Sequence, residues 1–232
     1  MAASAAIAPP VLDRPHNAVR VLEIYRFGEP AAGAALGRLR GCVAVGLNSG
    51  NVRTARLLLR RPEPSDLGDV FRVHGDPATQ RFNPAGPDPD VAASRTRLDE
   101  WLAHWAEHGF GYWTVVDARS EGSEGPVVLG FGGVRLERWQ DELVLNLYYR
   151  LAPTAWGRGV ATELARAAVS SDRQVRPELP VHAYTTADNI PSQRTAVAAG
   201  LVRRPDLDRH QPGFLEVVFR TPGSSQLPRP GA

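Results

Sequence analysis

Two glycines flanking one arginine, in Trp156-Gly157-Arg158-Gly159-Val160-Ala161, form the stretch of this chain best suited to hold an anion. A strand leads into it through Ala152-Pro153-Thr154-Ala155. A helix is predicted from Gly157 to Ser171, with Val160, Leu164 and Ala168 turned inward. The first turn of a helix carries N–H groups without intrahelical acceptors, and the helix dipole adds partial positive charge at the same end. Small residues let a pyrophosphate approach that backbone closely, and Arg158 adds a charge-assisted contact. Tight packing also uses Gly-x-Gly turns, so the spacing alone leaves both readings open. A dinucleotide fingerprint is not met. Thr162 stands where a third glycine is required, and the motif follows several antiparallel strands instead of opening a strand-helix-strand unit.

A second cluster follows the next strand: Thr185-Thr186-Ala187-Asp188-Asn189-Ile190-Pro191-Ser192. Asn189 and Ser192 sit three apart at a predicted helix start, a spacing that capping explains. They also lie at the C-terminal end of the strand beside the first motif, where open α/β sheets bind ligands.

These residues need a frame, and the pattern supplies one. Thr54–Arg60 reads as a strand, and Ser65 as the N-cap of a short helix with Leu67, Val70 and Phe71 on one face, limited by Pro77. A longer helix is predicted over Asp90–Glu107, with Val91, Leu98, Trp101, Leu102 and Trp105 at helical spacing and Gly109 as its stop. Three strands in meander order follow: Tyr112–Asp117, Val127–Leu136 and Leu143–Leu151, joined by Ser120–Gly125 and by Trp139-Gln140-Asp141-Glu142. In the third, Leu143, Leu145, Leu147, Tyr149 and Leu151 share a face, opposite Val144, Asn146, Tyr148 and Arg150. After the helix come a strand at Val181–Thr185, a helix at Pro191–Ala199 stopped by Gly200, and a strand at Phe214–Arg220. Antiparallel strands followed by a strand-helix-strand crossover imply an α/β (α+β) mixed sheet with helices on both faces.

Residues 1–50 are rich in Ala, Gly and Pro and read as a weakly structured extension; residues 51–221 form the domain, and 222–232 a loose tail. All 27 basic residues are arginine, so no Schiff-base or phosphate-loop lysine is available. One cysteine, Cys42, excludes an internal disulfide framework. The 27 basic and 25 acidic residues nearly cancel, and the excess lies in the first 50 residues, which argues against nucleic-acid binding. Without an apolar run of roughly 18 residues or a charged leading region, no membrane association is expected. The location expected by default is the cytoplasm.

Taken in order, "HGDP" at His74–Pro77, "GYW" at Gly111–Trp113, "LGFGGV" at Leu129–Val134, "YYRLAP" at Tyr148–Pro153, "WGRGVATE" at Trp156–Glu163 and "NIPS" at Asn189–Ser192 resemble the GNAT superfamily of N-acetyltransferases. The branch they resemble is the ribosomal-protein N-terminal acetyltransferases, over about Thr54 to Phe219. The resemblance implies a mostly antiparallel sheet of about six to seven strands. It also implies a splayed strand pair, Leu143–Leu151 and Val181–Thr185, at a coenzyme cleft. It implies acetyl-CoA as co-substrate, no metal, an amine acceptor, and a monomer or homodimer. Backbone groups of Tyr149, Arg150 and Leu151 would bond the pantetheine arm as an added strand does. Trp156, Gly157, Arg158, Gly159, Val160, Ala161 and Thr162 would surround the pyrophosphate. Asn189 would contact pantetheine, and Ser192 would sit by the thioester sulfur.

The implied reaction is attack of a neutral amine on the thioester, with an N–H near Tyr149 as oxyanion donor and Ser192 assisting the thiolate. The base is open. Many relatives carry Glu where this chain has Asn146, an amide that cannot accept a proton; Tyr149, Glu142, His182, His210 or a water chain are alternatives. Asn146 also leaves room for a second reading, a non-catalytic acyl-CoA-sensing module. Acceptor contacts are expected from Asp76–Ala92 and Asp206–Gly213, where Asp88 and Asp90 hint at a cationic acceptor.

Overall fold

A computed structural model describes residues 50–120 and 125–222; the expected N-terminal extension, most of the Ser120–Gly125 turn and the expected tail lie essentially outside them. One mixed sheet organises the described chain. Its strands are β1 (Val52–Arg53), β2 (Leu57–Arg60), β3 (Tyr112–Asp117), β4 (Val128–Trp139), β5 (Glu142–Leu151), β6 (Val181–Thr186), β7 (Val202–Arg203), β8 (Arg209–Gln211) and β9 (Phe214–Arg220). The order across the sheet is β1-β2-β3-β4-β5-β6-β9-β7, with β8 also on β9. All contacts are antiparallel except β5 with β6. Nine strands exceed the six or seven expected, because β1, β7 and β8 are too short to show a period of two.

Helices α1 (Leu67–His74) and α2 (Val91–His108) cover one face, with Val70, Val73, Leu98 and Trp101 packed on Tyr112, Val116 and Phe131. Helices α3 (Val160–Val175) and α4 (Ile190–Ala198) cover the other, where Leu164, Ala165, Ala168 and Ala196 meet Leu145, Leu147, Leu151 and Phe219. Asp90 caps α2 by accepting from the Ala93 N–H, and Gly109 ends it at φ 74°. A left-handed residue is inexpensive only for glycine.

Three local expectations change. The strand read as Thr54–Arg60 is broken: Thr54 N–H donates to Leu57 O, and Leu57 N–H donates back to Thr54 Oγ1, which makes a tight turn between β1 and β2. Ser65 does not cap α1. It lies inside a short turn, Pro64–Asp66, whose Asp66 takes the Glu63 N–H, the Arg60 guanidinium and the Thr114 hydroxyl. Val91 is 46% exposed instead of inward, since it opens α2 at the rim of the layer.

Helix α3 can approach β4 because Gly132 has no side chain. A Cβ there would lie 2.5 Å from Tyr148 O and 2.9 Å from Tyr149 Cα on β5, and 2.8 Å from Leu164 Cδ2. Backbone on one side and a buried leucine on the other leave it nowhere to go. Gly132→Ala should therefore cost about 1–3 kcal/mol by overpacking. A urea titration should show a lower midpoint at unchanged slope.

Candidate active site

β5 and β6 part early. Their parallel pairing holds only at Leu145↔Val181 and Asn146↔His182. From there β6 stays on β9 as far as Thr186↔Glu216, while β5 stays on β4 as far as Leu151↔Gly130. The edge of β5 that faced β6 therefore has no strand partner over Leu147–Leu151. Unpaired backbone groups demand partners, and one is present. The Trp156 indole donates to Leu151 O at 2.8 Å, so this carbonyl already holds one hydrogen bond.

The loop after β5 turns through Pro153–Ala155 and then through Gly157 and Gly159, at φ 69° and 73°. Both φ values lie in the left-handed region, so the helix begins at Val160, three residues later than predicted. The first helical bond is Glu163 N–H to Gly159 O. From Gly157 to Thr162 the N–H groups meet no backbone acceptor among the described residues. Nothing lies within 4 Å of where a Gly157 Cβ would be. Six consecutive open donors at a helix entrance form a strong anion cradle.

A residue missed at the sequence level borders that cradle. The Arg56 Nη1 donates to Arg158 O at 2.6 Å, and its Nη2 lies 3.4 Å from the Cβ position of Gly159. Glu163 fastens it, taking the Arg56 N–H, the Arg56 Nε and the Thr54 hydroxyl. Reading Thr54–Arg60 as continuous strand hid the turn that brings Arg56 here. Arg158 itself points back to Thr154 O at 3.3 Å and toward Asp117 at 3.9 Å.

Ser192 and Tyr149 come together. The Tyr149 hydroxyl donates to Ser192 O at 2.8 Å, which makes the Ser192 Oγ–H the donor in their 3.0 Å contact. Burial pushes the Tyr149 phenol up to about 12, so at neutral pH it is a proton donor and not a base. Asn189 is engaged as the cap of α4: its Oδ1 accepts from the Ser192 N–H, and its Nδ2 donates to Thr185 Oγ1.

The other candidate bases fare poorly. His182 is fully buried, and burial lowers it to about 4. Glu142 is ion-paired to Arg220 at 2.5 Å, at the far end of β5. His210 is exposed on β8, outside the parting of the strands. The acids read as hints of a cationic acceptor are structural: Asp88 is buried against Arg97 and Ser94, and Asp90 caps α2.

A carboxylate lies elsewhere. Glu137 on β4 projects to the same face as Asn146, since Arg135↔Asn146 and Glu137↔Val144 are paired. Its Oε2 accepts from Asn146 Nδ2 at 2.8 Å, and its Oε1 accepts from the Tyr184 hydroxyl at 3.0 Å. The second N–H of Asn146 goes to the Tyr112 hydroxyl at 3.0 Å. Burial pushes both phenols up, which keeps them protonated. Glu137 was missed because its strand was read to end at Leu136. A two-residue turn at Gln140-Asp141, with Gln140 at φ 55°, lets the pairing run on to Trp139↔Glu142.

Arg150 ties the expected acceptor loop to β5. Its Nη1 donates to Thr79 O at 2.6 Å and to Gln80 Oε1 at 2.5 Å, while its Nε donates to the Tyr148 hydroxyl. Tyr148 in turn meets His74 Nε2 at 2.8 Å. Among the described residues no group of His, Cys, Asp and Glu is arranged to hold a metal, and no helix is long and apolar enough to cross a membrane.

Residues 56–202 match a family model described as an acetyltransferase (GNAT) domain. The fold is shared with an acetyltransferase from Agrobacterium tumefaciens str. C58, at 22% identity and TM-score 0.62, over 81% of this chain and 100% of that one. It is shared with spermidine N-acetyltransferase from Vibrio cholerae in complex with CoA and spermine, at 16% identity and TM-score 0.55, over 72% of this chain and 94% of that one. A third is an aminoglycoside acetyltransferase in complex with coenzyme A, at 17% identity and TM-score 0.54, over 71% of this chain and 94% of that one. At such identities the likeness is one of fold.

Three histidines bear on pH. Burial lowers His74 to about 3, and His104 and His182 to about 4. Between these values and the ordinary 6.5 the unfolded chain binds protons that the fold refuses. Their contribution is therefore complete above about pH 6.5 and is lost as pH falls toward 4. His182 has no hydrogen-bond partner for either ring nitrogen among the described residues. His182→Leu should flatten the slope of stability against pH by about 1.4 kcal/mol per pH unit in that window. Urea melts at pH 6.5, 5.5 and 4.5 measure it.

Proposed function

Because the chain belongs to the GNAT acetyltransferase family, we propose that it moves an acetyl group from acetyl-CoA to a primary amine, by direct attack within a ternary complex. The catalytic domain in this reading spans residues 51–221. One observation carries it: β5 leaves β6 after Asn146, and six open N–H groups follow directly at Gly157–Thr162. A strand edge without a partner suits an extended amide-bearing arm. The run of amides suits a pyrophosphate, with Arg56 and Arg158 at its border. Tyr149, Arg150 and Leu151 are the backbone contacts in this reading, with Leu151 O already accepting one hydrogen bond from the Trp156 indole.

Glu137 is the base in this reading. The amine nitrogen forms the new C–N bond as the C–S bond breaks, and Glu137 takes the proton shed by nitrogen. A backbone N–H near Tyr149 steadies the carbonyl oxygen. The leaving thiolate accepts a hydrogen bond from the Ser192 hydroxyl, which turns to it from Tyr149, and takes its proton from solvent, while Glu137 returns the proton it accepted to solvent before the next turnover. The pair Asn146–Tyr184 holds the carboxylate through both oxygens. Asn146 standing in place of a carboxylate favours a non-catalytic acyl-CoA-sensing module, and the Glu137 carboxylate 2.8 Å from it supports the catalytic reading instead.

Calorimetric titration with acetyl-CoA, followed by thiol release over a panel of amines, tests the reading; absence of binding ends it. Glu137→Gln should lower kcat by about 10²–10⁴-fold while acetyl-CoA affinity stays the same. A fall in affinity of the same size would assign Glu137 to the fold instead.

Gly159 supplies a second test. Any side chain at φ 73° is strained, so Gly159→Ala measures strain alone and Gly159→Glu adds a carboxylate among the phosphate donors. Glu should weaken acetyl-CoA binding at least about tenfold beyond Ala, by like-charge repulsion. Equal affinities for the two variants would displace the phosphate site from this loop.

A further inference from the structure

Arg135 on β4 is partly buried, yet it has no ion pair or hydrogen bond among the described residues. Its guanidinium lies over the Tyr112 ring, 5.3 Å from the centroid, and it feels the charges of Glu137 and Glu100 without a hydrogen bond to either. Neighbouring guanidiniums on the same sheet face are all engaged. Arg150 holds Thr79 and Gln80, Arg220 holds Glu142, and Arg209 holds Glu216. Partly buried charge is normally paired, and a guanidinium with its whole donor fork open is unusual in so well satisfied a surface.

Its place makes that donor fork informative. Arg135, Asn146, His182 and Arg220 lie opposite one another across four strands, so they project to one face. Glu137 follows two residues along the same strand, also on that face. Two residues along a strand span roughly 6.6 Å, and Glu137 reaches Asn146 and Tyr184, on the two strands that part. A cationic site stands beside an anionic one, next to the proposed reaction centre.

Building on the acetyl-transfer reading above, we propose that the acceptor is zwitterionic. Its amine addresses Glu137 and its carboxylate, a few bonds away, is received by Arg135. Free α- or ω-amino acids have this form. A guanidinium fork matches a carboxylate with two parallel hydrogen bonds. A polyamine or aminoglycoside would instead bring a second cation against Arg135 and be repelled. The Tyr112 ring, 5.3 Å away, leaves the hydrogen-bond donors of the guanidinium unspent.

The test compares each free amino acid with its own C-terminal amide, using acetyl-CoA and thiol release, with glycine, β-alanine, alanine and glutamate as probes and spermidine as the cationic control. The acids should exceed their amides in kcat/KM by about tenfold or more. Arg135→Met should collapse the acid-to-amide ratio by about 10–100-fold, chiefly through KM, and Arg135→Lys should restore part of it. Equal use of acid and amide, an Arg135→Met ratio equal to that of the parent, or no turnover of any acid by a protein that binds acetyl-CoA, each overturns this inference. Calorimetry on the same samples separates the two claims. Failure to bind acetyl-CoA removes the acetyl-transfer reading itself, whereas binding with spermidine or amides preferred removes only the zwitterionic acceptor.

Discussion

A parallel strand pair that stops after two residues leaves a row of peptide groups with nowhere to bond. β5 could have followed β6 for its whole length, but β6 pairs with β9 throughout and β5 is held by β4 as far as Leu151. The divergence is possible because each strand is fully satisfied on its other side. Buried peptide groups without partners are costly, and an added extended chain is one way to satisfy such an edge. The loop that follows has two left-handed glycines and Val160 as its first helical residue, and leaves further N–H groups without backbone acceptors among the described residues.

The opposite sheet face is organised by charge. Glu137, Asn146, Tyr112 and Tyr184 form a hydrogen-bonded chain in which the phenols stay protonated and the amide spends both its N–H groups. That chain sets a carboxylate of β4 against Asn146 of β5. Other acids are spent on the scaffold: Asp88 on Arg97, Asp206 on Arg204, Asp208 on Arg203. Glu137 is held on this face by neutral groups, Asn146 and Tyr184, and Arg135 by no hydrogen bond among the described residues.

Much of the frame was legible. The α2 helix, the β3–β5 meander and β9 fall where apolar spacing placed them, within one to three residues at their ends. Long periodic segments are legible because each residue repeats the same burial decision. The departures lie where one side chain or one turn decides. Thr54 closes a turn through its own hydroxyl, Asp66 displaces Ser65 as the anchor of α1, and the turn at Gln140 extends β4 past Leu136. That last extension is what carried Glu137 into a strand.

By itself the sequence determined the layered sheet and the glycine-bearing helix entrance at Gly157–Val160, because these follow from glycine backbone freedom and local periodicity. Only tertiary structure decided that Glu137 lies against Asn146, that Leu151 O accepts from the Trp156 indole, that Arg56 borders the Gly157–Gly159 turn, and that Arg135 stacks on Tyr112 without a hydrogen bond among the described residues. Those outcomes depend on register between strands, where a shift of one residue sends every side chain to the other face.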